Sequence, residues 1–234
     1  MRAFWLSAFA ASLCLLVSSP ARATLLANGD FETPTVPVGS FTNFNSGSTL
    51  ITGWTVVGPQ VSIVSGTFTQ NGFSFPAESG VQWVDMTGDG SNASEGVEQT
   101  VPTTPSDAYS LSFWVGNIVD PDGIFGTTST VDVLVNGTQI SSAENSAGAG
   151  TSVQNWEQFT VPFTATGSST TIELLNADPS NDNSNGLDNV TLIQTGGGAP
   201  VVPLPSTAWS ALAMLTGLFM AKLVITRRRA HRVA

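Results

Sequence analysis

The chain has 234 residues and a formal net charge of −10, but its charges are segregated. Its seven basic residues are Arg2, Arg22, Lys222, Arg227, Arg228, Arg229 and Arg232, so the stretch from Thr24 to Ala221 holds all 17 carboxylates and no Lys or Arg. The single His, His231, and the single Cys, Cys14, also fall outside that stretch. A middle segment without these four residue types builds no Ser-His-Asp or Cys-His site, no thiolate or imidazole zinc site, no Schiff base and no cationic phosphate clamp. Nucleic acid is excluded as a partner, because binding it requires neutralising phosphates.

The N-terminus opens with Arg2, an apolar run over residues 3–17, and Ala21-Arg22-Ala23, a small-x-small cleavage pattern. This reads as a secretory signal peptide over residues 1–23. A lipoprotein reading would acylate Cys14, but Leu13 is too large for the residue that precedes such a site. Cleavage after Ala23 leaves no cysteine, so disulfides cannot support the exported fold.

Residues 24–195 are expected to form one all-β domain. Gly, Ser, Thr, Asn and Val dominate, no 3.6-residue apolar period is present, no internal repeat is evident, and short alternating runs recur between turn signals. Strands are expected over 51–57, 61–64, 81–86, 97–101, 109–115, 131–135, 159–164, 170–175 and 187–193. The sharpest local signal is Asn136-Gly137 between 131–135 and 138–140, the dipeptide preferred in two-residue hairpins. Period-two alternation sends Tyr109, Leu111, Phe113 and Val115 to one face and Ser110, Ser112, Trp114 and Gly116 to the other.

Several motifs recur in one order along this domain: Asn28-Gly29-Asp30-Phe31-Glu32, Gly53-Trp54, Val84-Asp85-Met86-Thr87-Gly88, Glu98-Gln99-Thr100, Tyr109-Ser110-Leu111-Ser112-Phe113 and Gly186-Leu187-Asp188-Asn189-Val190. Together they resemble the choice-of-anchor C group and related extracellular domains with a galactose-binding-like fold. The resemblance implies a jelly-roll β-sandwich of the carbohydrate-binding-module type. It also implies a structural Ca²⁺ joining the first and last strands, with Glu32 and Asp188 as ligands and Asp30 as a third. Hard oxygen donors without His or Cys suit that ion. The alternative reading makes Glu32 an exposed strand residue and Asp188 a turn former.

Other acidic loops offer less. The run from Asp178 to Gly186 has the composition of a calcium loop, but with Asn181 as position one the twelfth position is Leu192, so it is not an EF-hand. Asp120-Pro121-Asp122-Gly123 reads as a turn. Glu78, Asp85, Glu95, Glu98 and Glu157 are formally available to a glycosidase, yet no sequence feature selects a pair. Sugar rings stack on aromatic faces, and Trp114 and Trp83 are the candidate glycan-binding residues, whereas Trp54 is assigned to packing.

A Gly- and Pro-rich linker with a sorting motif follows over 196–207, then an apolar stretch over 208–226. The 18 residues from Ala208 to Ile225 span ~27 Å as a helix, enough to cross a bilayer, and the arginines of the 227–234 tail place the C-terminus in the cytoplasm. Pro203-Leu204-Pro205, a single apolar helix and an arginine cluster resemble the VPLPA-type PEP-CTERM tails of Gram-negative bacteria. That resemblance implies an exosortase-type processing enzyme as a partner. A sortase signal of the LPxTG type over 204–208 is the competing reading. The expectation is an exported, non-enzymatic protein at the cell surface or in the matrix, binding extracellular polysaccharide weakly with a structural Ca²⁺. The alternatives are a structural or adhesive matrix protein without a glycan site, and a hydrolase or lyase.

Overall fold

The alternation in Ala108–Asn117 illustrates how the sequence builds its layers. Tyr109, Leu111, Phe113 and Val115 are all buried while Ser110, Ser112 and Trp114 are half-exposed, as a strand with one face on the core requires. The computed structural model describes residues 23–89, 94–179 and 182–197. The expected signal peptide up to residue 22, the sorting motif Pro203, Leu204 and Pro205, the 208–226 helix and the 227–234 tail lie outside the described residues.

Among the described residues every regular element is a strand. A six-stranded antiparallel sheet carries, in order, β1 (Phe41–Asn45), β3 (Gln60–Ser65), β6 (Gln82–Asp85), β13 (Gly186–Gln194), β8 (Ala108–Asn117) and β11 (Asn155–Thr164). A five-stranded sheet carries β10 (Thr138–Asn145), β9 (Ser129–Val135), β12 (Ser169–Asn176), β7 (Gly96–Pro102) and β2 (Thr55–Val57). A short hairpin, β4 (Thr69–Gln70) and β5 (Phe73–Ser74), stands apart from both. The two large sheets enclose one core, to which β3 gives Val61 and Ile63, β6 Val84, β8 Phe113, β9 Val133, β12 Ile172 and Leu174, and β13 Leu187 and Leu192. This is an all-β sandwich, one of the architectures that alternating strands and the absence of helical periodicity pointed to, and its jelly-roll form is the one that the family resemblance implied.

The Asn136-Gly137 hairpin forms as its dipeptide dictates. Both residues have positive φ, 51° and 74°, and Val135 pairs with Thr138. The expected strand over 51–57 is shorter in the structure, because Gly53 takes a positive φ in a turn and only Thr55–Val57 pairs. Trp54 packs, as assigned: it is buried, lies 5.2 Å from the Phe31 ring, and donates from Nε1 to Asn28 O at 2.9 Å. The two ends of the domain meet at β13. Leu25 N–H donates to Leu192 O at 2.8 Å, and Leu192 N–H donates to Thr24 Oγ1 at 3.0 Å.

Candidate functional site

The outer face of the six-stranded sheet carries a second apolar layer. On β6, Val84 points into the main core, so period two turns Trp83 and Asp85 outward; on β3 the same logic turns out Ser62 and Val64. Val64 and Trp83 join Phe75, Ile118 and Phe125 in a small buried cluster, with Phe68, Phe73, Ala77 and Trp156 packed against it. Phe75 and Phe125 meet edge to face at 5.3 Å, as do Trp83 and Trp156 at 5.9 Å. The β4–β5 hairpin and the segment that follows it lie over this layer.

That following segment, residues 75–82, forms a strap fixed by side chains from elsewhere in the chain. Trp83 Nε1 donates to Phe75 O at 3.0 Å and Trp156 Nε1 donates to Pro76 O at 2.9 Å. The N–H groups of Glu78 and Ser79 donate to Asp188 Oδ2 at 2.9 and 3.0 Å. Those of Val81 and Gln82 donate to Glu32 Oε1 at 2.7 and 3.1 Å. Gly80, between the two pairs, has φ of 64°, and a Cβ there would collide with Glu32 Oε1. A side chain at this position is therefore excluded by both backbone conformation and space.

Beside the strap opens a cleft of about 310 Å³. Its apolar wall contains Phe41, Phe68, Phe75, Trp83, Ile124 and Phe125, and Ser62, Gln70, Asp85, Asp89 and Asn183 supply polar groups. Trp83 is 1% exposed and supports the wall from beneath. The accessible apolar surface comes from Phe41, 37% exposed, and Ile124, 41% exposed, with half-buried Phe68 set edge to face against Phe41 at 5.7 Å.

Burial shapes the electrostatics around this end of the sandwich. Desolvation lifts the Asp85 carboxyl from 3.8 to about 6, against hydrogen bonds from Thr87 and Asn185 that favour its charged form. Desolvation likewise lifts Asp178 to about 7, and it lifts Asp182 to about 8 with added repulsion from Asp178 and Asp85. Asp188 is raised to about 7 by burial and by the neighbouring Glu78 charge, while the strap and Asn189 amides oppose the shift.

The carboxylates nominated for calcium do not converge on one ion. Asp188 accepts three N–H bonds, the third from Asn189 at 2.7 Å, while Glu32 Oε1 accepts two and Asp30 is exposed. These bonds occupy Glu32 Oε1 and both Asp188 oxygens, and among the described residues no group of three or more His, Cys, Asp or Glu is placed to hold a metal. This donor set does not fit a shared calcium. Glu32 and Asp188 serve here as amide acceptors that hold the strap. The tetrapeptide from Asp120 forms the turn read from its composition, with Gly123 N–H donating to Asp120 O at 3.0 Å.

A family model, described as a protein of unknown function (DUF642), matches residues 24–193. The chain belongs to the DUF642 family. No curated protein matches the sequence. The DUF642 domain resembles in fold the Stig cyclase Fisc from Fischerella sp. TAU, solved with (3Z)-3-(1-methyl-2-pyrrolidinylidene)-3H-indole. The identity is 18%, the match covers 76% of this chain and 100% of that one, and the TM-score is 0.54. A cyclase from the same organism, solved with 4-(1H-indol-3-yl)butan-2-one, is 19% identical over 76% of this chain and 100% of its own, with a TM-score of 0.54. A more remote likeness is to the CBM22-1 xylan-binding domain of Paenibacillus barcinonensis Xyn10C, with a TM-score of 0.40, 18% identity and coverage of 70% and 99%. At these identities the likeness is one of fold.

The structure distributes the sequence-nominated aromatic residues of the DUF642 domain unequally. Trp83 lines the cleft, whereas Trp114 stands half-exposed on the same outer face but outside it, in register with Gln158 on β11 and Asp188 on β13. Phe41 and Phe68, which form the accessible apolar edge, were not singled out from sequence. Phe41 was findable: it stands three residues before core-facing Phe44 on β1, and an odd spacing in a strand puts two side chains on opposite faces. Phe68 sits in the turn between β3 and β4, where no periodicity marks it.

Proposed function

We propose that this DUF642 domain is a non-enzymatic glycan-binding module of an exported protein, and that the cleft beside the strap is its binding site. The observation that carries this reading is the pairing of accessible rings at Phe41 and Phe68 with hydroxyl, amide and carboxylate groups from Ser62, Gln70, Asn183 and Asp89 around one opening. A sugar ring needs that combination: apolar faces for its C–H surface and directional polar groups for its hydroxyls. Asp85, pushed up to about 6, adds a carboxyl that changes between acceptor and donor within the mildly acidic range. The signal-peptide pattern at the N-terminus and the PEP-CTERM-like tail support export, sorting by an exosortase-type enzyme and a place at the cell surface or in a polysaccharide matrix.

Affinity electrophoresis of the full chain through gels containing a panel of polysaccharides tests the reading. Retardation by at least one polysaccharide, lost in both Phe41→Ala and Phe68→Ala and kept in Trp114→Ala, is the expected result. Migration unchanged by every polysaccharide would leave a structural or adhesive role as the better account. Release of reducing sugar from the panel would replace binding with hydrolysis.

A further inference from the structure

We propose that the cleft selects polysaccharides of amino sugars that carry free ammonium groups, and that Asp85 and Asp89 set this selectivity. The inference rests on the glycan-binding reading and narrows it to one chemical class. Of the residues that line the opening only Asp85 and Asp89 are ionisable, and both are acids. No Lys, Arg or His lies between Thr24 and Ala221 to offset them.

The two carboxylates stand at different depths. Asp85 belongs to a row across the outer face of the six-stranded sheet, paired with Ser62 on β3 and Gly186 on β13. It accepts from the Thr87 N–H at 3.1 Å, from Thr87 Oγ1 at 2.9 Å and from the Asn185 N–H at 3.3 Å, and all three bonds fall on Oδ1. Every one of these donors is neutral. Burial and the nearby Glu95 charge push the Asp85 carboxyl up to about 6, the opposite of what a cationic neighbour would do. Asp89 is exposed, its N–H donates to Gln60 Oε1 at 3.0 Å, and its Oδ2 accepts only a long bond, 3.4 Å, from Asn43 Nδ2.

Apolar walls around charges of one sign concentrate their field in the opening. A polysaccharide of uronates or sulfate esters meets two like charges there and no group of opposite sign, which disfavours it. A neutral sugar offers the carboxylates only hydroxyl donors. A sugar ammonium offers charge-assisted hydrogen bonds, and it is also attracted to aromatic faces such as those of Phe41 and Phe68 at the same opening. Carboxylates and rings thus favour the same sign of charge. The ligand supplies the cation that the domain itself lacks.

Full chain in detergent is titrated by calorimetry with β-linked oligomers of glucose, N-acetylglucosamine and glucosamine of equal length, in buffer where the glucosamine amine is protonated. These differ only in carrying a hydroxyl, an acetamide or an ammonium group at one carbon of each ring; polygalacturonate serves as the anionic member. The glucosamine oligomer is expected to bind at least about tenfold more tightly than the two neutral ones, and polygalacturonate not at all. That preference should shrink in Asp85→Asn and in Asp89→Asn, and persist in Glu98→Gln, which removes the same charge from β7 in the other sheet. If Asp85→Asn does not fold, Asp89→Asn, at an exposed position, decides. Neutral oligomers bound as tightly as the charged one would overturn the selectivity and leave the glycan site standing. So would a preference that survives both Asp substitutions, or one that Glu98→Gln weakens equally, which marks general attraction of a polycation to an acidic surface. No heat from any oligomer, with no retardation in any polysaccharide gel, would remove the glycan reading as well.

Discussion

Glu32 and Asp188, near opposite ends of the domain, each accept two backbone N–H groups from the same five-residue stretch, Glu78 to Gln82. They act together through the strap, which both hold against the outer face of the six-stranded sheet.

Removing either acceptor should loosen that strap. Glu32→Ala strands the N–H groups of Val81 and Gln82 and is expected to cost about 1–3 kcal/mol in urea unfolding, with Glu32→Gln costing less because its amide oxygen still accepts. Gly80→Ala is expected to exceed about 1 kcal/mol, since φ of 64° and the Glu32 carboxylate both oppose a side chain. A Gly80→Ala protein as stable as wild type would contradict the described packing.

Asp188 gives the domain a pH dependence of definite sign. Its carboxyl rises from 3.8 to about 7 on folding, so between these values the folded chain holds a proton that the unfolded chain has released. The contribution to stability is whole below about 3.8 and is lost as pH rises through about 7. In EDTA, unfolding free energy measured from pH 4 to pH 8 is expected to fall, and Asp188→Asn should fall less steeply than wild type. Parallel slopes would show that Asp188 does not carry this effect.

Rings at the cleft edge and rings beneath it should respond differently to truncation. Trp83→Ala removes a buried indole and its bond to Phe75 O, and is expected to destabilise by about 3–5 kcal/mol. Phe41→Ala, at an accessible position, should cost under about 1.5 kcal/mol by chemical denaturation while abolishing retardation in polysaccharide gels. A loss of retardation explained wholly by unfolding would show instead as a denaturation midpoint shifted as far as in Trp83→Ala.

The Asn136-Gly137 turn offers a local check on register. Gly137 has φ of 74°, and Asn136, at 51°, also accepts the Thr171 N–H through Oδ1 at 2.9 Å. Gly137→Ala is expected to cost about 1 kcal/mol in thermal or urea unfolding, as a residue with a Cβ resists the left-handed region.

The layers of this sandwich were readable because alternation is a local signal. Leu111 and Phe113 on one side and Ser112 and Trp114 on the other announce their faces without knowledge of the partner sheet. Asn136-Gly137 announces its turn in two residues. The strap was not readable, since Glu32 and Asp188 acquire their partners only when distant segments meet, and a carboxylate that accepts amides looks in sequence like one that waits for a metal. The cleft had the same difficulty. Phe68 belongs to no periodic run, and Trp83, conspicuous in sequence, is consumed by packing.

The meeting of the domain's two ends along β13 sets a direction. That strand starts at Gly186, paired with Asp85 in the cleft wall, and runs nine residues to Gln194, past Leu192 where Thr24 and Leu25 dock. At roughly 3.3 Å per residue the strand is about 30 Å long. Entry and exit of the chain therefore share one pole of the sandwich and the cleft occupies the other. One strand therefore links the cleft wall, where Gly186 pairs with Asp85, to the place where Thr24 and Leu25 dock, so a substitution along β13 can reach both the binding face and the closure of the domain.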